Sequence, residues 1–177
     1  IIDSSWHMPQ TKRNGFEEYK KQHIQNTIFF DIDKNSKQNT DLPHMLTDKN
    51  SWESIVSKMG IRNEDKIIIY DNSDVISSCR CWYNFIYFGH NPNLVSVLNG
   101  GLKKWKIEGR PITDNKTKIL KSNYKSLENR NLVKDINQIN QNIKQKKFAL
   151  VDARSKERFE GKVPDPRKNV RSGSIPN

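Results

Sequence analysis

Two aspartates stand at the ends of short apolar runs, and the runs are alike. Ile1-Ile2-Asp3-Ser4-Ser5-Trp6 opens the chain, and Leu150-Val151-Asp152-Ala153-Arg154 repeats the pattern near its other end. An apolar run closed by Asp reads as a buried parallel strand that delivers a carboxylate to its C-terminal end, the edge at which open parallel sheets hold their ligands. The same carboxylates suit capping of the loop or helix that follows, and both readings stand at this point. The other reactive side chains are two cysteines, Cys79 and Cys81. Two thiols are too few for a disulfide framework and point to a reducing compartment, read here as cytoplasmic. On a helix their spacing turns them about 200 degrees apart, too far to share a metal. Neither opens a Cys-x5-Arg loop, since the sixth residue onward is Phe85 or Tyr87. Both cysteines are therefore expected to pack as small apolar side chains.

Composition narrows the function classes. With 177 residues and 33% hydrophobic content, the chain can bury one core, with little left for a second. The formal charge of +11 raises the question of a nucleic-acid partner. However, the basic residues scatter through 103–134 and Lys144, Lys146 and Lys147, among Asn, Ser and Gln. That mixture reads as a solvated connector and helix face, so no nucleic acid is expected, although a basic field would draw small anionic substrates to a cleft. No apolar run approaches membrane-spanning length and no secretory signal opens the chain, so no membrane partner is expected either.

The elements that must position these groups alternate. Strands are expected at 1–2, 28–32, 67–70, 95–98 and 149–151, and helices over 15–22, 52–59, 77–87, 102–107 and 135–145. This alternation implies an α/β fold with a mostly parallel sheet flanked by helices. Asn99-Gly100-Gly101 reads as a tight strand-to-helix turn. The pattern lapses around Gly109-Arg110-Pro111, which reads as a linker. The self-similar ends suggest a tandem duplication: a first domain over 1–108, a linker over 109–133, and the start of a second domain over 134–177. Because the chain opens on Ile1 and not Met, it is expected to be a piece of a longer protein.

Several ordered motifs together carry a family resemblance. Asp3-Ser4-Ser5-Trp6, Phe30-Asp31-Ile32-Asp33, Pro43-His44-Met45-Leu46, Ile69-Tyr70-Asp71, Ser78-Cys79-Arg80-Cys81-Trp82 and Val97-Leu98-Asn99-Gly100-Gly101 resemble the first domain of tandem rhodanese-type sulfurtransferases. The segment Val151-Asp152-Ala153-Arg154 through Gly161, followed by Pro164-Asp165-Pro166-Arg167, resembles the opening of their second, catalytic domain. The resemblance implies a rhodanese-like domain followed by the first part of another. It also implies transfer of sulfane sulfur from a small anionic donor, through a Cys persulfide, to a thiol acceptor such as thioredoxin or a low-molecular-weight thiol, or to cyanide, with no metal or organic cofactor.

Arg158-Phe159 and Pro164-Asp165-Pro166-Arg167 match the mercaptopyruvate-preferring branch. The resemblance thus assigns Arg158 and Arg167 to the substrate, whose carboxylate and carbonyl oxygens suit planar guanidinium groups; the other reading of both arginines is surface ion pairing. It also assigns Asp33 and His44 to proton transfer at the catalytic thiol, where a carboxylate would fix the imidazole tautomer. The other reading of His44 is a ring satisfied by nearby backbone. Where the nucleophile would stand in the first copy there is Asp71, so this copy is expected to be non-catalytic. Equal spacing would put the nucleophilic Cys at about position 220, so this chain alone is expected to be inactive. A thiosulfate sulfurtransferase and a catalytically silent rhodanese-like binding protein are the alternatives.

Overall fold

The computed structural model describes residues 1–165 and 170–176. The first strands are brief: β1 (Ile2–Asp3), β2 (Ile28–Phe29), β3 (Ile67–Tyr70) and β4 (Val95–Val97) form a four-stranded sheet in the order β2-β1-β3-β4. All pairings are parallel, with Asp3 abreast of both Phe29 and Tyr70. The Ile-Ile-Ile-Tyr run of β3 is continuous because helices cover both faces of an interior parallel strand. The expected strand over 28–32 ends early: Asp31 caps a short helix, α2 (Ile32–Asn35), by accepting from the Lys34 amide.

Helix ends follow their caps. Asn14 accepts from Glu17 N at the start of α1 (Gly15–Lys21), and Asp48 accepts from Ser51 N at the start of α3 (Lys49–Lys58). In α4 (Ser78–Tyr87), Ser78, Cys81 and Phe85 lie on the buried stripe. Cys81 packs into the core, where burial pushes its thiol pKa up. Cys79 faces solvent, which corrects the expectation that both cysteines pack: at a spacing of two, a helix that buries one side chain turns the other outward. At the start of α5 (Gly101–Ile107), Gly101 has φ 54°, and a Cβ there would lie 2.4 Å from the Asp71 carbonyl oxygen.

The core centres on Trp52 of α3, fully buried against Phe30, Phe85 and Phe88, with ring centroids 4.7–5.9 Å away. Tyr124 joins this cluster, although it comes from the stretch expected to be a solvated connector. Backbone bonds hold that stretch down: Ser122 N donates to Ser57 O, Leu127 N to Phe88 O and Asn129 N to Tyr87 O. Tyr124 also stacks on the buried ring of His90. One anchoring aromatic and a series of satisfied backbone groups outweigh a polar, Lys-rich composition.

The chain divides into two compact units, 1–130 and 131–177. In the second, α6 (Ile136–Gln145) begins with a reciprocal capping box between Asp135 and Gln138. A short helix, α7 (Lys156–Phe159), follows. The strand expected over 149–151 does not form: a strand exists only within a ladder, and among the described residues no segment of this unit pairs with it. No helix among the described residues is long and apolar enough to cross a membrane.

Asp3 resolves into a structural role. Its Oδ1 accepts from Ser5 N (2.9 Å) and Ser5 Oγ (2.6 Å). Burial raises its pKa to about 6, more than these bonds lower it. The native state therefore holds this proton more tightly than the unfolded chain, so stability falls as pH rises from about 4 to about 6 and is level above. The span amounts to about 3 kcal/mol. Asp3→Asn keeps the acceptor oxygen and is expected to remove this slope and raise stability at neutral pH, as measured by denaturant unfolding across pH 4 to 7. Tyr124→Ala is expected to cost about 3–5 kcal/mol in the same assay, the range for losing a buried aromatic ring; a freely solvated connector would give almost no change.

Candidate functional site

The C-terminal edge of the parallel sheet in the first unit gathers the loops that leave β1, β2 and β3. After β1, the Trp6 amide donates to Ser73 Oγ (2.9 Å) and Ser77 Oγ (3.1 Å), and Ser73 Oγ donates back to the Trp6 carbonyl. These bonds tie the first loop to the loop that follows β3. That third loop is ordered by Asp71, whose carboxylate accepts from Ser73 N (3.0 Å) and from Ser78 N (2.7 Å) at the start of α4. Asp71, the residue that follows β3, is thus occupied with backbone amides.

The loop after β2 folds back on itself. Lys37 N donates to Met45 O, while the Gln38 side-chain amide donates to the Asp33 and Ser36 carbonyls. This closure brings His44 to Asp33, as expected from the sequence: Nε2 lies 2.7 Å from Asp33 Oδ1. The imidazole is therefore satisfied by a carboxylate rather than by backbone. Sequence reasoning missed Trp6 as a member of the group. Its indole N–H donates to both Asp33 oxygens at 3.1 Å, and its ring meets His44 edge-on at 5.0 Å. Trp6 and Asp33 are 27 positions apart, and only the strand register makes them neighbours. The pair stays open to solvent, with 65% of the Asp33 side chain and 28% of His44 exposed. An imidazole held by a carboxylate at an accessible sheet edge can take and return a proton.

The second unit holds an arginine–carboxylate cluster of its own. Arg158 Nη2 lies 2.5 Å from Oδ2 of Asp165, whose side chain is only 1% exposed. Arg154, which sequence reasoning passed over, grips Asp152 through Nε and Nη2 and donates to the Gly173 carbonyl at 2.7 Å. Those hydrogen bonds pull the Asp152 carboxyl down to about 2. Asp152 thus anchors a guanidinium, whereas Asp3, which closes a similar apolar run, orders a buried turn. Arg167 lies outside the described residues. A concavity of about 940 Å³ in this unit combines apolar Ile136, Ile143 and Val151 with Asp152, Arg154 and Asp165. Among the described residues, no group of three or more His, Cys, Asp or Glu side chains is arranged to hold a metal ion.

Comparison with known proteins agrees with this architecture. The rhodanese-like domain family matches residues 13–108. A thiosulfate/3-mercaptopyruvate sulfurtransferase of Arabidopsis thaliana, named as mitochondrial, is 35% identical over 99% of this chain and 52% of its own. Human 3-mercaptopyruvate sulfurtransferase is 31% identical over 99% of this chain and 59% of its own. The crystal structure of a 3-mercaptopyruvate sulfotransferase from Escherichia coli superposes with a TM-score of 0.88 at 28% identity, covering 99% of this chain and 65% of that one. The chain spans about half the length of the curated relatives it matches. With the parallel sheet, its flanking helices and a family match over more than half the residues, this chain belongs to the rhodanese-like domain family.

Proposed function

We propose that the full-length protein is a sulfurtransferase that moves sulfane sulfur from mercaptopyruvate to a thiol or cyanide acceptor. The observation that carries this reading is the Asp33–His44 contact of 2.7 Å, held by the Trp6 indole at an accessible sheet edge. In the proposed reaction, His44, oriented by Asp33, takes the proton from a Cys thiol supplied by the full-length protein. The thiolate attacks the sulfur of mercaptopyruvate, an S–S bond forms and the C–S bond breaks, with its electron pair leaving as the enolate of pyruvate. The proton held by His44 returns to that enolate. Arg158 and Arg167 hold the substrate carboxylate and offset the developing enolate charge. An acceptor thiol, thioredoxin or a low-molecular-weight thiol, or cyanide then removes the outer sulfur and regenerates the thiolate. This chemistry asks for no metal or organic cofactor.

The contact between Arg158, about a quarter exposed, and the buried Asp165 carboxylate supports an arginine fixed in place and still accessible rather than one in a fully exposed ion pair. A thiosulfate donor is the second reading, favoured by the plant relative whose name carries both substrates. The free thiols of Cys79 and Cys81 suit any reducing compartment, the cytoplasm and the mitochondrial matrix included.

Two substitutions test these roles. His44→Gln is expected to lower kcat for mercaptopyruvate by about two to four orders of magnitude, the usual range for a general acid–base group. Its KM should change little. Arg167→Met is expected to lower kcat/KM for mercaptopyruvate by about 10- to 100-fold, the loss of a charge-assisted hydrogen bond. Thiosulfate turnover should change much less; equal losses with both donors would argue for the thiosulfate assignment.

A further inference from the structure

Arg80 is placed unlike the other arginines. It lies on the first turn of α4, half-buried, and no carboxylate among the described residues forms an ion pair with it. Desolvation lowers its pKa, and its guanidinium carbon lies 5.9 Å from the ring of Tyr83. Nη2 donates a short hydrogen bond to the backbone carbonyl of His44, and Nε is buried without a partner. Burying a cation without a counter-ion costs stability, so ion pairing does not explain this position. The contact with His44 does.

His44 has φ 57°, in the left-handed region that side chains other than glycine rarely adopt. Its carbonyl belongs to the peptide plane that follows its Cα, so a donor fixed on a helix sets the orientation of that plane. One residue further on, the Met45 carbonyl is held by Lys37 N. With the plane that follows His44 held in this left-handed conformation and the next residue pinned, the imidazole is presented to Asp33 and to the edge of Trp6. A guanidinium suits this position better than an ammonium, since it is more weakly hydrated and donates in a rigid fork. We infer that Arg80 is a positioning residue, which holds the left-handed backbone of His44 so that its imidazole meets Asp33. The consequence for turnover rests on the proton-transfer role proposed above for that pair, whereas the consequence for geometry does not.

Arg80→Met keeps the length of the side chain and its packing on Tyr83 while removing the donors. The first readout is the 15N imidazole spectrum of His44 in this chain. Signals of one carboxylate-held tautomer are expected for the unmodified chain, and signals averaged toward those of a free histidine for Arg80→Met. Arg80→Lys, which retains a donor, should recover part of the original pattern. In the full-length protein, kcat for mercaptopyruvate should fall about tenfold through misplacement of the imidazole, with KM within about twofold because the substrate contacts are untouched. Unaltered His44 signals in Arg80→Met would overturn the inference, even if activity fell, and would point to direct contact between Arg80 and the anionic donor. Altered signals with full turnover would uphold the positioning role and overturn the proton-transfer reading instead. Should Arg80→Met not fold, Arg80→Gln, polar but too short to span the same distance, carries the same comparison.

Discussion

A parallel ladder ends all its strands at one edge, and the first unit depends on this constraint. With β1 paired on both sides, Asp3, Phe29 and Tyr70 stand abreast. The three loops that leave them must share a small area. Trp6 reaches Asp33 because the first and second loops start side by side, and Ser73 and Ser77 fix the backbone of Trp6 because the third starts there too. Slipping the register by one residue would reverse the facing of every side chain in a strand and carry the indole away from the carboxylate it holds.

The carboxylates at this edge divide according to their surroundings. Asp3 is sealed under the sheet and spends its acceptor oxygen on Ser5. Asp71 spends both oxygens on amides that order its own loop and start α4. Asp33 alone of the three is largely exposed, and it meets an imidazole. Exposure separates a carboxylate that can take part in proton transfer from one that holds a turn; Asp3 ends one apolar strand and Asp71 directly follows another, whereas Asp33 lies on the short helix α2. Asp152 also follows a short apolar run but is tied to Arg154, so the same local sequence pattern serves different local purposes at the two positions.

Features written in local spacing were legible from the sequence alone. The amphipathic runs at 15–22, 52–59, 77–87, 102–107 and 135–145 located the corresponding helices to within a few residues, whereas the caps that set their starts at Asn14, Asp48 and Asp135 emerged only with the structure. The Asp33–His44 pairing was also legible, through motif resemblance. Features that depend on distant partners were not. Trp6 and Arg80 reach the pair across 27 and 36 positions, and nothing in their immediate neighbours marks them. Tyr124 was lost in a Lys- and Asn-rich stretch because composition does not reveal a single anchoring ring. The run at 149–151 had the apolar character of a strand, but pairing is a property of neighbours rather than of the segment.

If the Asp33–His44 pair serves a thiol that accepts sulfur from mercaptopyruvate, the full-length protein must carry that sulfur covalently. Intact mass spectrometry of the protein, purified from its native source, before and after brief exposure to mercaptopyruvate reads this out. A mass gain of one sulfur atom, reversed by a small thiol, is the expected result. No gain in a folded protein would contradict a persulfide mechanism and leave a rhodanese-like fold serving as a binding module.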